Sequence, residues 1–201
     1  MTPLENLRII NQKADKSILN NHGIAIVGTR KCTKYGKKIS FEFSQELSLK
    51  GFNIISGLAI GIDGYAHWGN VQANLKNKIA GKTIAVLGSG IDMLYPTQNK
   101  ELARKIIKTG GCIISEYSNG TRPNKTNFPQ RNRIISGLAE AVLVVEAGEK
   151  SGAIITANYA LEQGKDVFAI PGDITRETSL GTNKLIQDGA MIALNVEDII
   201  I

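Results

Sequence analysis

Six short apolar runs recur along this chain: residues 24–27, 53–55, 83–87, 112–115, 141–145 and 167–170. Each ends on a turn of glycine, proline or small polar residues, and each is followed by a stretch of helical spacing. Unbroken apolar runs mark strands buried on both faces. The intervening stretches predict helices over 35–50, 62–75, 99–108, 130–138, 152–163 and 182–187, with a last strand over 191–194. Ile39, Phe43, Leu47 and Leu49 form the inward side of the first helix, which Gly51 ends. Strand and helix in strict alternation imply an α/β fold. The expected architecture is a doubly wound, mostly parallel sheet of about seven strands with helices on both faces. Residues 1–23 read as a leader, a short helix plus linker, and 24–201 as one domain.

In such a sheet every loop that follows a strand lies on one edge, and ligands bind along that edge. The special residues of this chain all stand there. They are Gly28-Thr29-Arg30, Ser56-Gly57-Leu58-Ala59-Ile60-Gly61, Gly88-Ser89-Gly90, Ser115-Glu116-Tyr117, Glu146 with Ser151-Gly152, and Pro171-Gly172. Gly57 and Gly61 let a backbone bend sharply and approach a ligand closely. The N–H groups that open the helix after Gly61 suit a phosphate. Ser151 is placed to cap its helix. Gly28, Asp63, Gly88, Gly90, Glu146, Ser151 and Gly152 are expected to support these loops.

Composition narrows the partners. Apolar residues make up 42% and charged residues 21%, as in an ordinary globular protein. No apolar run approaches the ~20 residues of a membrane helix, and the polar start at residues 1–23 is no signal peptide. Cys32 and Cys112 form no paired motif, so no disulfide framework or zinc site is expected, and a cytoplasmic location follows. A net charge of +6 favours an anionic partner without deciding it.

Several chemistries fail on spacing. Gly88-Ser89-Gly90 is followed by Ile91-Asp92-Met93, with no third glycine for a dinucleotide fingerprint. Gly81-Lys82-Thr83 resembles the end of a P-loop, but Lys76 stands where glycine is required, and the motif precedes a strand. Ser56, Asp63 and His67 are the residue types of a hydrolytic triad, yet Asp63 and His67 are one helical turn apart and no G-x-S-x-G elbow is present. Asp63 therefore reads as a loop anchor or a helix-start carboxylate, and His67 as a packing or hydrogen-bonding residue. Asp63, Asp92, Glu116 and Glu146 are dispersed acids of the kind that bind backbone N–H groups and pair with arginines. No metal, no cofactor and no catalytic residue is expected.

The long fourth loop carries most information. Between Arg122 and Arg133 it gathers Lys125, Phe128, Arg131 and several amides. Arginine grips phosphate bidentately and lysine as a point charge. An exposed Phe stacks on any base. Cations with an aromatic platform are the parts of a single-strand binding groove. Phe128 equally suits a plug of the core, and Arg131 and Arg133 equally suit salt bridges to Glu116, Glu146 or Asp63. One arginine can do that structural work while the other faces phosphate, with Asn132 bonding a neighbouring loop. In the basic cluster Arg30-Lys31, Lys34, Lys37-Lys38, only Arg30 stands directly at a strand's end.

These residues resemble the DNA-processing protein A family, also called DprA or Smf. The likeness lies in Val27-Gly28-Thr29-Arg30, Ser56 to Asp63 with His67, and Leu87-Gly88-Ser89-Gly90-Ile91-Asp92 with Tyr95-Pro96-Thr97-Gln98-Asn99. It continues in Ser115-Glu116-Tyr117, Phe128 to Leu138, Val145-Glu146-Ala147 with Ser151-Gly152-Ala153, and Pro171-Gly172. It covers roughly residues 24–195, and ordered motifs over that length are far more specific than any single glycine pattern. The resemblance implies a Rossmann-like, non-enzymatic domain. Such a domain binds and protects single-stranded DNA in natural transformation, promotes RecA loading, and forms a homodimer through its C-terminal part. Carried over, Arg30 is a phosphate contact. Lys125 holds phosphate and Phe128 stacks on a base. Gly57, Ala59 and Gly61 line the pocket, with Ser56, Arg131, Asn132 and Arg133 as further DNA-binding candidates.

Many family members carry a further N-terminal helical domain and a C-terminal winged helix, which do not fit within 201 residues, so the sequence reads as a trimmed or minimal form. Position 97 is Thr where some relatives are basic, so either Lys100 compensates or that contact is missing. The alternative is a sensor of nucleotide-derived small molecules, or a phosphoribohydrolase-like enzyme of the same architecture. Such enzymes use P-G-G-x-G-T-x-x-E, and the matching stretch Lys150 to Thr156 lacks its glutamate. Release of free base from nucleoside monophosphates would discriminate the two.

Overall fold

The computed structural model describes residues 8–10, 16–19 and 22–200. One eight-stranded sheet runs through them: β1 (Arg8–Ile10), β2 (Gly23–Val27), β3 (Asn53–Ser56), β4 (Thr83–Leu87), β5 (Cys112–Ser115), β6 (Ala141–Val144), β7 (Asp166–Ala169) and β8 (Met191–Ile192). The spatial order is β1-β5-β4-β3-β2-β6-β7-β8. β2 to β8 are parallel, as expected of a doubly wound fold, and β1 lies antiparallel on β5 at one edge.

That edge strand corrects the leader. A helix plus linker is expected there. Instead Arg8 pairs with Ser115, Ile9 with Ile114 and Ile10 with Ile113, followed by a 3-10 turn over Lys16–Leu19. Three residues are too few to show a period, so pairing with a neighbour decides them. The rest of the leader lies outside the described residues.

Six helices, α1 (Lys34–Leu49), α2 (Ile62–Lys76), α3 (Lys100–Lys108), α4 (Asn127–Leu138), α5 (Gly152–Glu162) and α6 (Glu177–Gln187), cover the sheet. Successive strand residues point to opposite faces, so each apolar run feeds two cores. Ala25, Val27, Ile55, Val86, Val142 and Val144 pack with Ile134, Ala157 and Leu185 of α4, α5 and α6. Ile24, Ile26, Ile54, Leu143 and Phe168 pack with Phe43 and Leu47 of α1 and Ile62 and Ala66 of α2. Leu87, Ala85 and Ile113 meet Leu102 and Ile106 of α3.

The first helix departs from expectation at one residue. Leu49 is 45% exposed, because α1 turns a stripe of serines toward α2 instead. Ser40 Oγ donates to Ile62 O (2.8 Å), and Ser44 Oγ donates to Ala66 O. A Cβ on Gly69 would lie 2.2 Å from Phe41 O, so the two backbones nearly touch. Small residues that satisfy their own hydroxyls permit that approach.

The chain runs outward from β2 through β3, β4 and β5, then returns to place β6 on β2's other side. The loops after β2 and β6 therefore diverge and leave a crevice between them, where open α/β sheets bind ligands.

Candidate nucleic-acid interface

A cavity of about 590 Å³ occupies that crevice. One lip is Gly28, Thr29 and Arg30 after β2; the other is Ser151, Gly152, Ala153 and Thr156 at the start of α5. Ala59 and Asp63 close the floor, and Tyr95, Lys125, Phe128, Arg131 and Asn132 form the remaining wall. Of the stretches expected on one rim, those after β2 and β3, the Lys125–Asn132 stretch and Ser151-Gly152 border this space, whereas Gly88-Ser89-Gly90, Ser115-Glu116-Tyr117 and Pro171-Gly172 do not.

Arg30 and Lys125 are exposed at this cavity, and among the described residues neither has an ion-pair partner. Their charge is free for an anion. The guanidinium of Arg30 lies over the Phe128 ring, 5.3 Å from its centroid. Phe128 is placed between the two uses open to it in sequence. It is half-buried, with its ring so close to Gly88 that a Cβ there would come within 2.7 Å, and it still faces the cavity. Two cations of the α1 start are turned to other partners. Lys37 sits over the Tyr65 ring, and Lys38 faces Glu42 at 3.9 Å.

Arg131 departs from a phosphate role. It is 4% exposed, and its Nη1 donates to Gly57 O (2.8 Å) and to Val86 O, while Nε donates to Asn132 Oδ1 (3.3 Å). Burial lowers its pKa to about 10, against the opposing pull of Asp63. Burial likewise raises the Asp63 carboxyl, countered by Arg131 and by the N–H groups of Gly57 and Ala59. A Cβ on Gly57 would lie 2.6 Å from Arg131 Nη2 and 2.7 Å from Asp63 Oδ2. Gly57 is therefore bare because both charged groups press against it. The Gly57 and Ala59 amides are thus spent on Asp63, and of the N–H groups that open α2 that of Ile62 donates to Thr29 O (3.3 Å).

The other lip is held from below by Glu146. Its carboxylate accepts from Thr33 N (2.8 Å) and Thr33 Oγ1 (2.5 Å), and its carbonyl accepts from Thr29 N (2.7 Å). Thr33 caps α1, so one acid joins the ends of β2 and β6 to a helix start. Asn132 Nδ2 donates to Gly152 O (3.1 Å), and Ser151 Oγ accepts from Ala153 N (3.3 Å).

Three more candidates move out of contact. Ser56 is fully buried and its hydroxyl donates to Ile26 O (2.6 Å), tying β3 to β2. Arg133 pairs with Glu116 and does not line the cavity. Gly61 has φ +84°, and a Cβ there would lie 2.4 Å from Thr29 O. It shapes the loop rather than lining the cavity. Gly28 and Gly90 likewise abut backbone carbonyls, at 2.8 Å from Glu146 O and 2.5 Å from Ser118 O for an added Cβ. Asp92 accepts from Gly120 N, so each of the four rim acids binds a backbone N–H or an arginine as anticipated. His67 is buried and bonded to Thr83, a hydrogen-bonding residue as its position suggests. Tyr95 is the wall residue given no role by its sequence; an aromatic in the loop after β4 was the available signal.

A model of the family described as DNA recombination-mediator protein A matches residues 7–201. The chain belongs to that family, DprA/Smf. Among DprA/Smf proteins, the DNA processing protein DprA of Bacillus subtilis is 44% identical over 192 residues, which are 95% of this chain and 62% of that protein. Protein Smf of Escherichia coli K12 is 43% identical over 182 residues, 90% of this chain and 47% of its own. This chain thus spans about half to two thirds of the length of the two. The X-ray structure of DprA from Streptococcus pneumoniae superposes with a TM-score of 0.84 at 41% identity, covering 96% of this chain and 65% of that one. DprA of Helicobacter pylori, solved for its single-stranded DNA binding mode, superposes with a TM-score of 0.83 at 31% identity, covering 96% and 84%. A molybdenum cofactor binding protein from Rippkaea orientalis, at 21% identity and a TM-score of 0.58, shares the fold alone.

Proposed function

We propose that this chain binds and protects single-stranded DNA during uptake and recombination, without catalysing a reaction. The observation that carries this function is the meeting of Arg30, Lys125 and Phe128, from distant parts of the sequence, at one cavity. Two cations free of ion pairs supply attraction for phosphate, and a ring supplies stacking indifferent to base identity. The single-strand binding mode described for the Helicobacter pylori relative supports the same ligand.

A salt-titrated binding series with single- and double-stranded oligonucleotides tests this. Arg30→Ala and Lys125→Ala should each weaken binding to all sequences alike and reduce the slope of log K against log salt by roughly 0.7, one single-strand phosphate each. Phe128→Ala should cost about 1–3 kcal/mol of binding with the slope unchanged. Melting each variant alongside separates lost stacking from lost folding. Unchanged slopes in both cation variants would remove the groove.

Further proposals concern the whole assembly. The domain promotes RecA loading onto the bound strand in natural transformation, which a RecA filament-formation assay on coated DNA reads directly. Its setting is the cytoplasm; no helix among the described residues is long and apolar enough to cross a membrane. It forms a homodimer through its C-terminal part. The open edge strand β8 and the exposure of Ile192 (48%) and Leu194 (73%) there support that surface. Leu194→Glu is expected to convert dimer to monomer in sedimentation; an unchanged mass would place the contact elsewhere.

A further inference from the structure

Phe128 does not stand alone. The Tyr95 ring lies beside it, centroids 5.8 Å apart and planes inclined at 34°. Tyr95 is 42% exposed, and among the described residues its hydroxyl has no hydrogen-bond partner. It borders the main cavity and also a recess of about 70 Å³ bounded by Ile60, Pro96 and Gln98. A tyrosine kept for packing buries its ring, and a tyrosine kept for a hydrogen bond engages its hydroxyl. This one packs only in part, against Phe128, and its hydroxyl engages no described partner.

The loop that presents it is firmly held. Ser89 Oγ donates to Met93 O (2.8 Å), and Met93 N donates to Gly90 O (2.9 Å). Asp92 accepts from Gly120 N. Beyond Tyr95, the neighbouring Pro96 is buried, and Asn99 Nδ2 donates to Leu58 O (2.9 Å) and Ala59 O (3.1 Å). Both flanks of the tyrosine are thus anchored to the pocket's own loops. An aromatic surface fixed in advance loses little freedom when a ligand settles on it.

Resting on the single-strand function above, we propose that Tyr95 is a second base-stacking platform and that Tyr95 and Phe128 together hold two neighbouring bases of one strand. The rings are 5.8 Å apart, wider than the ~3.4 Å step of a stacked strand. In this arrangement each base rests on a ring of the protein rather than on its neighbour alone. The recess beside Tyr95 admits the edge of the second base, where Ile60 and Pro96 offer apolar contact and Gln98 an amide.

The test compares Tyr95→Leu and Tyr95→Phe on an oligo-dT strand and on an abasic strand of equal length with its phosphates intact. On oligo-dT, Tyr95→Leu is expected to weaken binding about 10-fold, with the salt slope unchanged, and Tyr95→Phe to bind like the parent. On the abasic strand all three should bind alike. If Tyr95→Leu loses as much on the abasic strand as on oligo-dT, Tyr95 merely props up its neighbours and the proposal is overturned. If Tyr95→Leu binds oligo-dT like the parent while Arg30→Ala is impaired, the proposal is overturned and single-strand binding stands. If Arg30→Ala is also unimpaired, the failure lies with single-strand binding itself.

Discussion

Replacing Arg131 by Met is expected to destabilise the fold by about 3–5 kcal/mol, since it strands two buried carbonyls and removes the cation that offsets a buried carboxylate. The side chain is 4% exposed and satisfies the carbonyls of Gly57 and Val86 from one nitrogen. Met fills much of the volume but leaves both carbonyls without a donor. It also leaves Asp63 buried among neutral groups, with only the N–H groups of the 57–59 backbone and the more distant Arg30 to offset its charge. Arg131→Lys should recover little, since a single ammonium does not reproduce the planar fork that spans β4, the 57 carbonyl and Asn132. Urea unfolding reads the loss. Pairing Arg131→Met with Asp63→Asn should cost less than the two changes summed, because the double variant strands no charge. A loss below about 1 kcal/mol for Arg131→Met would show the pair to be dispensable.

Acid should weaken the protein through His67. Its ring is fully buried, with Nδ1 2.6 Å from Thr83 Oγ1. The Thr83 hydroxyl donates to Ile54 O (2.9 Å), so it accepts from histidine and the ring proton resides on Nδ1. Nε2 then has no partner and no room for a charge. Burial lowers the pKa from 6.5 to about 3, with Arg131 adding to the effect. Between those values the unfolded chain binds the proton and the native chain does not, so stability rises with pH across that window. The contribution is complete above pH 6.5 and fades as pH falls toward 3. At pH 4 roughly 3 kcal/mol should be gone. Asp63, whose pKa is raised, works in the opposite direction, so the total curve is shallower. Subtracting the unfolding free energy of His67→Gln at each pH isolates the histidine. A difference that stays flat from pH 7 to pH 4 would mean the ring is charged or solvated in the native state.

The sheet was legible because strands buried on both faces leave unbroken apolar runs, and the topology then forced their loops to one edge. Boundaries slipped where a local rule pointed the wrong way. Pro129 suggests a helix starting after it, yet α4 begins at Asn127, since proline is tolerated in a first turn that needs no N–H. That shift puts Phe128 on a helix rather than in a free loop. Gly181 similarly hides the first half of α6, which starts at Glu177. The glycine is there because its Cα lies against the 147–148 backbone, where a Cβ would come within 2.7 Å of Ala147 O. Arg30 could be picked from sequence by its place at a strand's end, and Lys125 by the family resemblance. Arg131 and Arg133 could not be separated from them, because the burial of Arg131 on the Gly57 and Val86 carbonyls and the pairing of Arg133 with Glu116 are facts of three dimensions. Tyr95 escaped because an isolated aromatic carries no periodicity.

The carboxylate of Glu146 has a consequence for altering this protein. Gly36 at the start of α1 leaves so little space that a Cβ there would sit 2.2 Å from Glu146 Oε2, so the acid fills a slot shaped for it. With its carbonyl also receiving Thr29 N, the two jaws of the crevice are riveted at their common hinge point. Swapping residues along the mouth can change what grips a ligand but not how far the jaws stand apart. Anyone wishing to retune the width for a bulkier polymer would have to rebuild the buried contact between Gly36 and Glu146 at the first turn of α1.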